Sequence, residues 1–318
     1  MIKNDGGIFI IDKPEKISSA AVVSHVKRIP GVKKAGHTGT LDPFATGVMV
    51  VCVNQATRLA QFFLHDSKTY EGVMELGIET DTQDITGSVI SRIDIDSSSA
   101  DLSPDSFSPA SLSSEHIESV FSGFKGKISQ IPPVYSALKH NGVPLYKLAR
   151  QGKPVEKPPR TVTIHSLHII KIELPEIRFE VSCSSGTYIR TLASDIGKKL
   201  GCGGCLKKLR RTASSGFDIS EAISVEEIND PTKREKIEER LISMPEALPH
   251  IPEATADKDL ACRIMVGMPI KKQDILFNVD VRPSGELVKV VDENRRLLAV
   301  VKEKKNSPVY DYCCVFPE

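Results

Sequence analysis

Residues Gly36–Gly47 spell GHTGTLDPFATG. The glycines and small side chains let backbone approach a ligand closely. Asp42 precedes Pro43, which favours an extended or turn conformation. An aspartate in a turn is, taken alone, a turn former or cap. No carboxylate partner lies nearby in sequence, which counts against a two-carboxylate hydrolase. The loop lacks the GxxxxGK[ST] pattern of a phosphate loop, so nucleotide hydrolysis has little support.

The flanks of this loop predict a mixed α/β domain. Downstream, GVMVVCV (Gly47–Val53) is an apolar strand rich in valine. Upstream, GIFIID (Gly7–Asp12) predicts a short buried strand. Ser18 and Ser19 can cap a helix whose apolar residues Val22, Val23, Val26 and Ile29 keep helical spacing, with Pro30–Gly31 ending it. Ala56–Leu64 reads as a helix and Lys68–Leu76 as a strand. Residues 96–114 are mostly Ser, Asp and Pro, too polar to offset their ordering entropy, and are expected to form a flexible surface insertion. Residues 160–172 and 176–183 look like strands joined by a turn at Pro175. Gly186 leads into a helix with Tyr188, Leu192, Ile196 and Leu200 at i, i+4 spacing, closed by Gly201. After about residue 245 come a Pro-containing linker (LPHIPEATAD), a short helix (Lys258–Val266) and strands at 274–280, 286–292, 297–303 and 309–315. The expected organisation is a catalytic domain over 1–245, with a mostly antiparallel central sheet, and a small β domain over 246–318.

Composition narrows the class. The 318 residues are 40% hydrophobic, enough for a buried core. No apolar run reaches the roughly 18 residues of a membrane span. The start, MIKNDGGIFIIDKP, lacks a secretion signal, so a cytoplasmic location is expected. Seven cysteines at irregular spacing are expected to be free thiols. Cys202 and Cys205 form a CxxC, but no second pair stands ready to complete a zinc site, and no metal is expected. Net charge is only +1, yet basic residues crowd two segments. One holds Lys198, Lys199, Lys207, Lys208, Arg210 and Arg211; the other Lys139, Lys147, Arg150, Lys153, Lys157 and Arg160. Each alone reads as a solvated face; together they suggest a phosphate-binding surface.

GHTGTLDPFATG resembles the catalytic motif of the TruB family of pseudouridine synthases, with Asp42 in the position of the nucleophile. GIFIIDKP (7–14), KTYEGVMELGIETDTQDITG (68–87), SALKHNGVPLYKLARQG (136–152), CSSGTYIRTLASDIGKKLG (183–201) and LRRT (209–212) match the family in the same order. The resemblance runs nearly continuously over residues 5–215, and more weakly into a C-terminal part similar to the small RNA-binding PUA domain. Two departures stand out. Lys16 occupies a position that is usually glycine, and Gly204–Cys205 replace an Ala-His found in many bacterial members.

The resemblance implies isomerisation of uridine to pseudouridine at position 55, in the T-arm loop of tRNA, without cofactor or metal. Asp42 would act as the covalent nucleophile. Arg190 would pair with it and favour its ionised form. Tyr70 would stack on the target uracil and take its C5 proton. Tyr188 and Leu209 would line the uracil pocket, and His37 would help displace the base from its stack. Lys13, with Pro14, would support the active-site loop. No obligate protein partner is implied. The alternatives are a guide-RNA-dependent ribosomal RNA pseudouridine synthase, a non-catalytic RNA-folding chaperone, and a zinc-binding RNA module built on Cys202 and Cys205.

Overall fold

The structure is a computed structural model that describes residues 2, 5–64, 66–95, 112–277, 286–304 and 307–317. The first half of the chain forms β1 (Gly7–Lys13), α1 (Ser19–Val26), β2 (Ala35–His37), β3 (Thr46–Val53), α2 (Ala60–Phe63), β4 (Lys68–Leu76), β5 (Ile78–Thr80), β6 (Val89–Arg92), α3 (Ser114–Ser122) and β7 (Gly126–Gln130). Next come β8 (Lys139–His140), β9 (Val143–Pro144), α4 (Leu145–Arg150), β10 (Arg160–Glu173), β11 (Glu176–Cys183), α5 (Ile189–Lys199), β12 (Gly204–Ser214), β13 (Phe217–Asp218), β14 (Ile223–Ser224), α6 (Val225–Asn229) and α7 (Arg234–Glu239). The C-terminal part adds β15 (Glu253–Thr255), α8 (Lys258–Met265), β16 (Leu276–Phe277), β17 (Leu287–Val291), β18 (Leu297–Glu303) and β19 (Tyr310–Val315).

The fold is the expected mixed α/β class with a central sheet. That sheet has ten strands, with the path β14-β1-β3-β12-β4-β11-β10-β7, β2 pairing β3 and β13 pairing β12. Pairings are antiparallel except β1 with β14 and β3 with β12. A separate five-stranded sheet, β16-β15-β17-β18-β19, makes a small C-terminal β unit.

The unbroken apolar run of β3 has a direct physical reason. Successive strand side chains face opposite ways, so a strand covered on both faces needs no polar alternation. Phe9, Ile11, Met49, Val51 and Val53 pack into the core that includes α1 residues Val22 and Val26 and α5 residues Leu192 and Ile196. Ile8, Ile10, Val48, Val50 and Cys52 enter a second cluster with Met244, Leu248, Val291, Leu297, Val300 and Phe316. The C-terminal unit therefore shares a hydrophobic cluster with the central sheet.

Several local expectations needed revision. Helix α1 starts as expected, Ser18 Oγ accepting the Ala21 amide at 3.1 Å, but it stops at Val26. The following amides bond three residues back, Arg28 to His25 and Ile29 to Val26, the tightening common at helix ends. Residues 54–59 wind as a 3₁₀ helix before the short α2; Thr57 Oγ1 donates back to the Asn54 carbonyl at 2.9 Å, which favours the tighter turn. The supposed linker contains β15, paired with β16 and β17. Of the Ser-rich stretch, 96–111 lies outside the described residues, as does 278–280 of the expected strand at 274–280. Leu112 is buried and Ser113 caps α3, so the folded chain resumes before residue 114. No helix among the described residues is long and apolar enough to cross a membrane.

Helix α5, which carries Arg190, lies directly on β12. A Cβ at Gly197 would collide with backbone atoms of Gly203 and Gly204, which cannot rotate aside. Gly197→Ala is expected to destabilise the protein by about 1–3 kcal/mol, measured by denaturant unfolding.

Candidate active site

Asp42 opens a turn in which its carbonyl accepts the Ala45 amide at 3.1 Å, with Pro43 at the second position that such turns favour. Arg190, in the first turn of α5, reaches it. Arg190 Nε donates to Asp42 Oδ2 at 2.8 Å, and Nη2 lies 3.5 Å from Oδ1. The same guanidinium donates Nη1 to the Thr82 carbonyl at 2.6 Å and Nη2 to the Tyr135 carbonyl at 2.8 Å. Nη1 is also 3.5 Å from Asp84 Oδ2. Arg190 is 4% exposed and Asp84 6%, while Asp42 is 35% exposed. Of the two carboxylates on this arginine, Asp42 is thus the accessible one. Asp84 Oδ1 is occupied by the Thr82 hydroxyl at 2.9 Å, and by the Thr86 hydroxyl and amide at 2.5 and 3.0 Å. Asp84 is the carboxylate neighbour that sequence distance concealed. Nothing local separates it from Asp81 in the polar loop DTQD.

The 39–48 loop is pinned from below by two buried cations. Lys13 Nζ donates to the carbonyls of Pro14, Pro43 and Ala45 at 2.8, 3.2 and 2.5 Å. Burial lowers its pKa to about 8, partly offset by the attraction of Asp42. Arg211, 1% exposed, donates Nε to the Val48 carbonyl at 2.6 Å and Nη2 to the Gly39 carbonyl at 3.1 Å. Gly47, at φ +104°, is indispensable here because a Cβ would run into the Arg211 backbone. The Ser19 hydroxyl accepts the Leu41 amide and donates to its carbonyl, both at 2.9 Å. Lys16 sits at φ +72° and donates its amide to the Pro43 carbonyl at 2.8 Å. The departure from glycine at this position therefore forces a lysine into left-handed backbone.

Tyr70 on β4 is buried, and desolvation raises its pKa. Leu209 on β12 is buried. Tyr188 precedes α5 and is fixed by a reciprocal pair: its amide donates to Gln130 Oε1 at 2.8 Å and its carbonyl accepts from Gln130 Nε2 at 3.0 Å. The Arg160 guanidinium lies 4.8 Å from the Tyr188 ring centroid and hydrogen bonds the Gly186 carbonyl. Electrostatically such stacking favours the π face. His37, on β2 just before the loop, has its pKa lowered by burial and then by Arg211, and its buried Nδ1 has no hydrogen-bond partner among the described residues. Gln130, Asp84 and the carbonyls of Thr82 and Tyr135 went unseen in the sequence, and Arg160 was read only as part of a basic run; each comes from a segment distant from the motif it serves.

The basic runs divide on inspection of their partners. Lys207 is paired with Glu75 and Glu176 at 2.7 Å each, Arg210 with Asp12 at 2.7 Å, and Arg211 is buried under the loop. These three cations are engaged by acidic neighbours or the loop, whereas Lys199 and Lys208 are exposed and Lys198, also exposed, lies 4.0 Å from Glu79. Lys139, Lys147, Arg150 and Lys153 of the other run are exposed. Cys202 and Cys205 are buried thiols. No group of three or more potential metal ligands occurs among the described residues.

Known proteins resemble this chain over most of its length. A model described as TruB family pseudouridylate synthase (N terminal domain) matches residues 27–189, and one described as tRNA pseudouridylate synthase B C-terminal domain matches 190–248. A curated tRNA pseudouridine synthase B from Syntrophotalea carbinolica is 41% identical over 89% of this chain and 88% of its own. One from Francisella tularensis subsp. tularensis is 45% identical over 74% of this chain and 73% of its own. A solved Cbf5-Nop10-Gar1 complex contains a chain with the same fold, at TM-score 0.72 and 25% identity, covering 99% of this chain and 86% of that one. The protein is accordingly a pseudouridylate synthase, an enzyme of the isomerase class. Within that class the chain belongs to the TruB family.

Two outcomes are expected. Arg190→Lys keeps the charge but cannot supply the guanidinium's several directed donors, so kcat should fall on the order of a hundredfold or more as Asp42 loses its orientation; single-turnover kinetics measure this. Lys16→Gly should stabilise the fold by about 0.5–1 kcal/mol through relief of left-handed strain, read as a raised midpoint in denaturant unfolding with activity retained.

Proposed function

We propose that this enzyme converts uridine 55 in the T-arm loop of tRNA to pseudouridine, with Asp42 as nucleophile. The observation that carries the reading is the Arg190–Asp42 pair. It orients a partly exposed carboxylate by directed hydrogen bonds, while the second carboxylate on the same arginine is buried and occupied by Thr82 and Thr86.

The C1′–N1 glycosidic bond breaks, the uracil reorients, and C5 bonds to C1′. Asp42 holds one fragment covalently during this exchange. Tyr70 packs on the uracil and receives the C5 proton. Tyr188 and Leu209 line the pocket. His37, low in pKa and with an unpartnered Nδ1, meets the RNA as a neutral imidazole and assists flipping of the base. Lys13 holds the loop carbonyls and does not react. The tRNA substrate is supported by relatives named tRNA pseudouridine synthase B that span most of this chain. Residues 246–318 act as a PUA-like RNA-binding domain, and the exposed lysines and arginine of 139–153 contribute phosphate contacts. The enzyme works in the cytoplasm on tRNA alone, without a guide RNA, metal or cofactor.

The test is pseudouridine mapping in a T-arm stem-loop transcript incubated with the purified protein only. Modification at position 55 is expected; a requirement for a guide RNA would overturn the reading. Asp42→Asn should abolish turnover, with tRNA affinity held within a few-fold. Substantial product from that variant would remove Asp42 from its role.

A further inference from the structure

Arg211 braces both ends of the catalytic loop, but its position also serves the chemistry. We infer that Arg211 is a positioning residue whose buried charge makes the Tyr70 phenol a competent proton acceptor. This rests on the reading of Tyr70 as the group that receives the C5 proton.

Arg211 on β12 and Tyr70 on β4 are directly opposite in the antiparallel register, so their side chains project from the same face of the sheet. The guanidinium bonds the Gly39 and Val48 carbonyls and is close enough to the buried Tyr70 phenol to favour its ionised form. Those carbonyl partners are neutral, and among the described residues no carboxylate ion-pairs with it. An arginine cannot shed its proton, so a full positive charge persists in a buried place. Its neighbours register that charge. Lys13, His37 and Lys68 are each disfavoured as cations by Arg211, after the larger effect of burial. Tyr70 is the acidic group placed to gain from it. Burial pushes the phenol up, and Cys183 from β11 and Asp42 from the loop push the same way; Arg211 opposes them by its charge and by a hydrogen bond.

The step it assists balances simply. After C5 bonds to C1′, C5 still carries its hydrogen. The C5–H bond breaks and its electron pair becomes the C5=C6 double bond. The C6=N1 pair moves to N1, which takes a proton from water. The C5 proton passes to the Tyr70 phenolate oxygen, and the resulting phenol later returns a proton to solvent. A phenolate is the competent form, and a fixed cation stabilises it.

The experiment places 3-fluorotyrosine, whose phenol is more acidic, at position 70 of the full-length enzyme. Single-turnover pseudouridine formation on a tRNA transcript is followed from roughly pH 7 to roughly pH 11, with Arg211, Arg211→Lys and Arg211→Gln. The rate should rise with pH as the phenol ionises. Arg211→Gln should move that rise up by about one pH unit or more, and 3-fluorotyrosine should move it back. Arg211→Lys should keep the profile position while lowering the rate, because it retains charge but spans the loop poorly. A loss in Arg211→Gln that is equal at every pH and not reversed by 3-fluorotyrosine would reduce Arg211 to a loop brace. If 3-fluorotyrosine leaves the profile of the Arg211 enzyme unmoved, the reading of Tyr70 itself fails. Should Arg211→Gln not fold, the ¹⁹F resonance of 3-fluorotyrosine 70 in the Arg211 and Arg211→Lys enzymes decides. Titration coincident with the rate rise in both supports the inference, and no titration in that range overturns it.

Discussion

One buried guanidinium organises the site. Arg190 lies where three separate segments converge: the 36–47 loop through Asp42, the β5–β6 connection through Thr82 and Asp84, and the segment after β7 through Tyr135. A buried charge is tolerable only when its donors are satisfied. Arg190 meets that demand only if all three segments are in place. Positioning of the Asp42 carboxylate is therefore coupled to completion of the fold around it, and Arg190 in turn rests on α5, packed against β12 by the close approach at Gly197.

The same logic recurs beneath the loop. Among the described residues Lys13 and Arg211 have no ion-pair partner there and are satisfied by main-chain carbonyls. Carbonyls fix geometry without neutralising charge, so both cations continue to act on the groups around them. Burial and then Arg211 lower the His37 pKa, so desolvation and a neighbouring cation both favour its neutral imidazole. Specific RNA contact can then coexist with a near-neutral chain, because the electrostatics that matter are local.

The C-terminal unit enters this scheme through packing. Its Val291, Leu297, Val300 and Phe316 cover the face of β1 and β3 opposite the α1 and α5 helices. Lys289 adds a polar tie, its ammonium donating to the Pro245 and Leu248 carbonyls at 2.7 and 3.2 Å. Strand β3 leads directly out of the 36–47 loop, so the surface that carries the C-terminal unit and the loop that carries Asp42 share one strand.

What the sequence determined by itself was whatever is encoded within a few residues. Strands β1, β3, β4, β10 and β11 and helix α5 were legible from apolar runs, periodicity and glycine punctuation, because burial on a face imposes a short repeat. The pairing of Arg190 with Asp42 was legible because each sits in a distinctive motif. Other features depended on which segments meet. Asp84 could not be told from Asp81 until the β5–β6 connection was laid against α5. Arg210 and Arg211 are adjacent in one basic run, yet one reaches Asp12 at the surface and the other lies under the loop, because successive strand residues face opposite sides. The same holds for the partners of Gln130 and Arg160, and for the C-terminal cover on β1 and β3. Local sequence specifies which face a residue shows; only the tertiary structure decides what lies across from it, since that contact is made by chain far away in sequence.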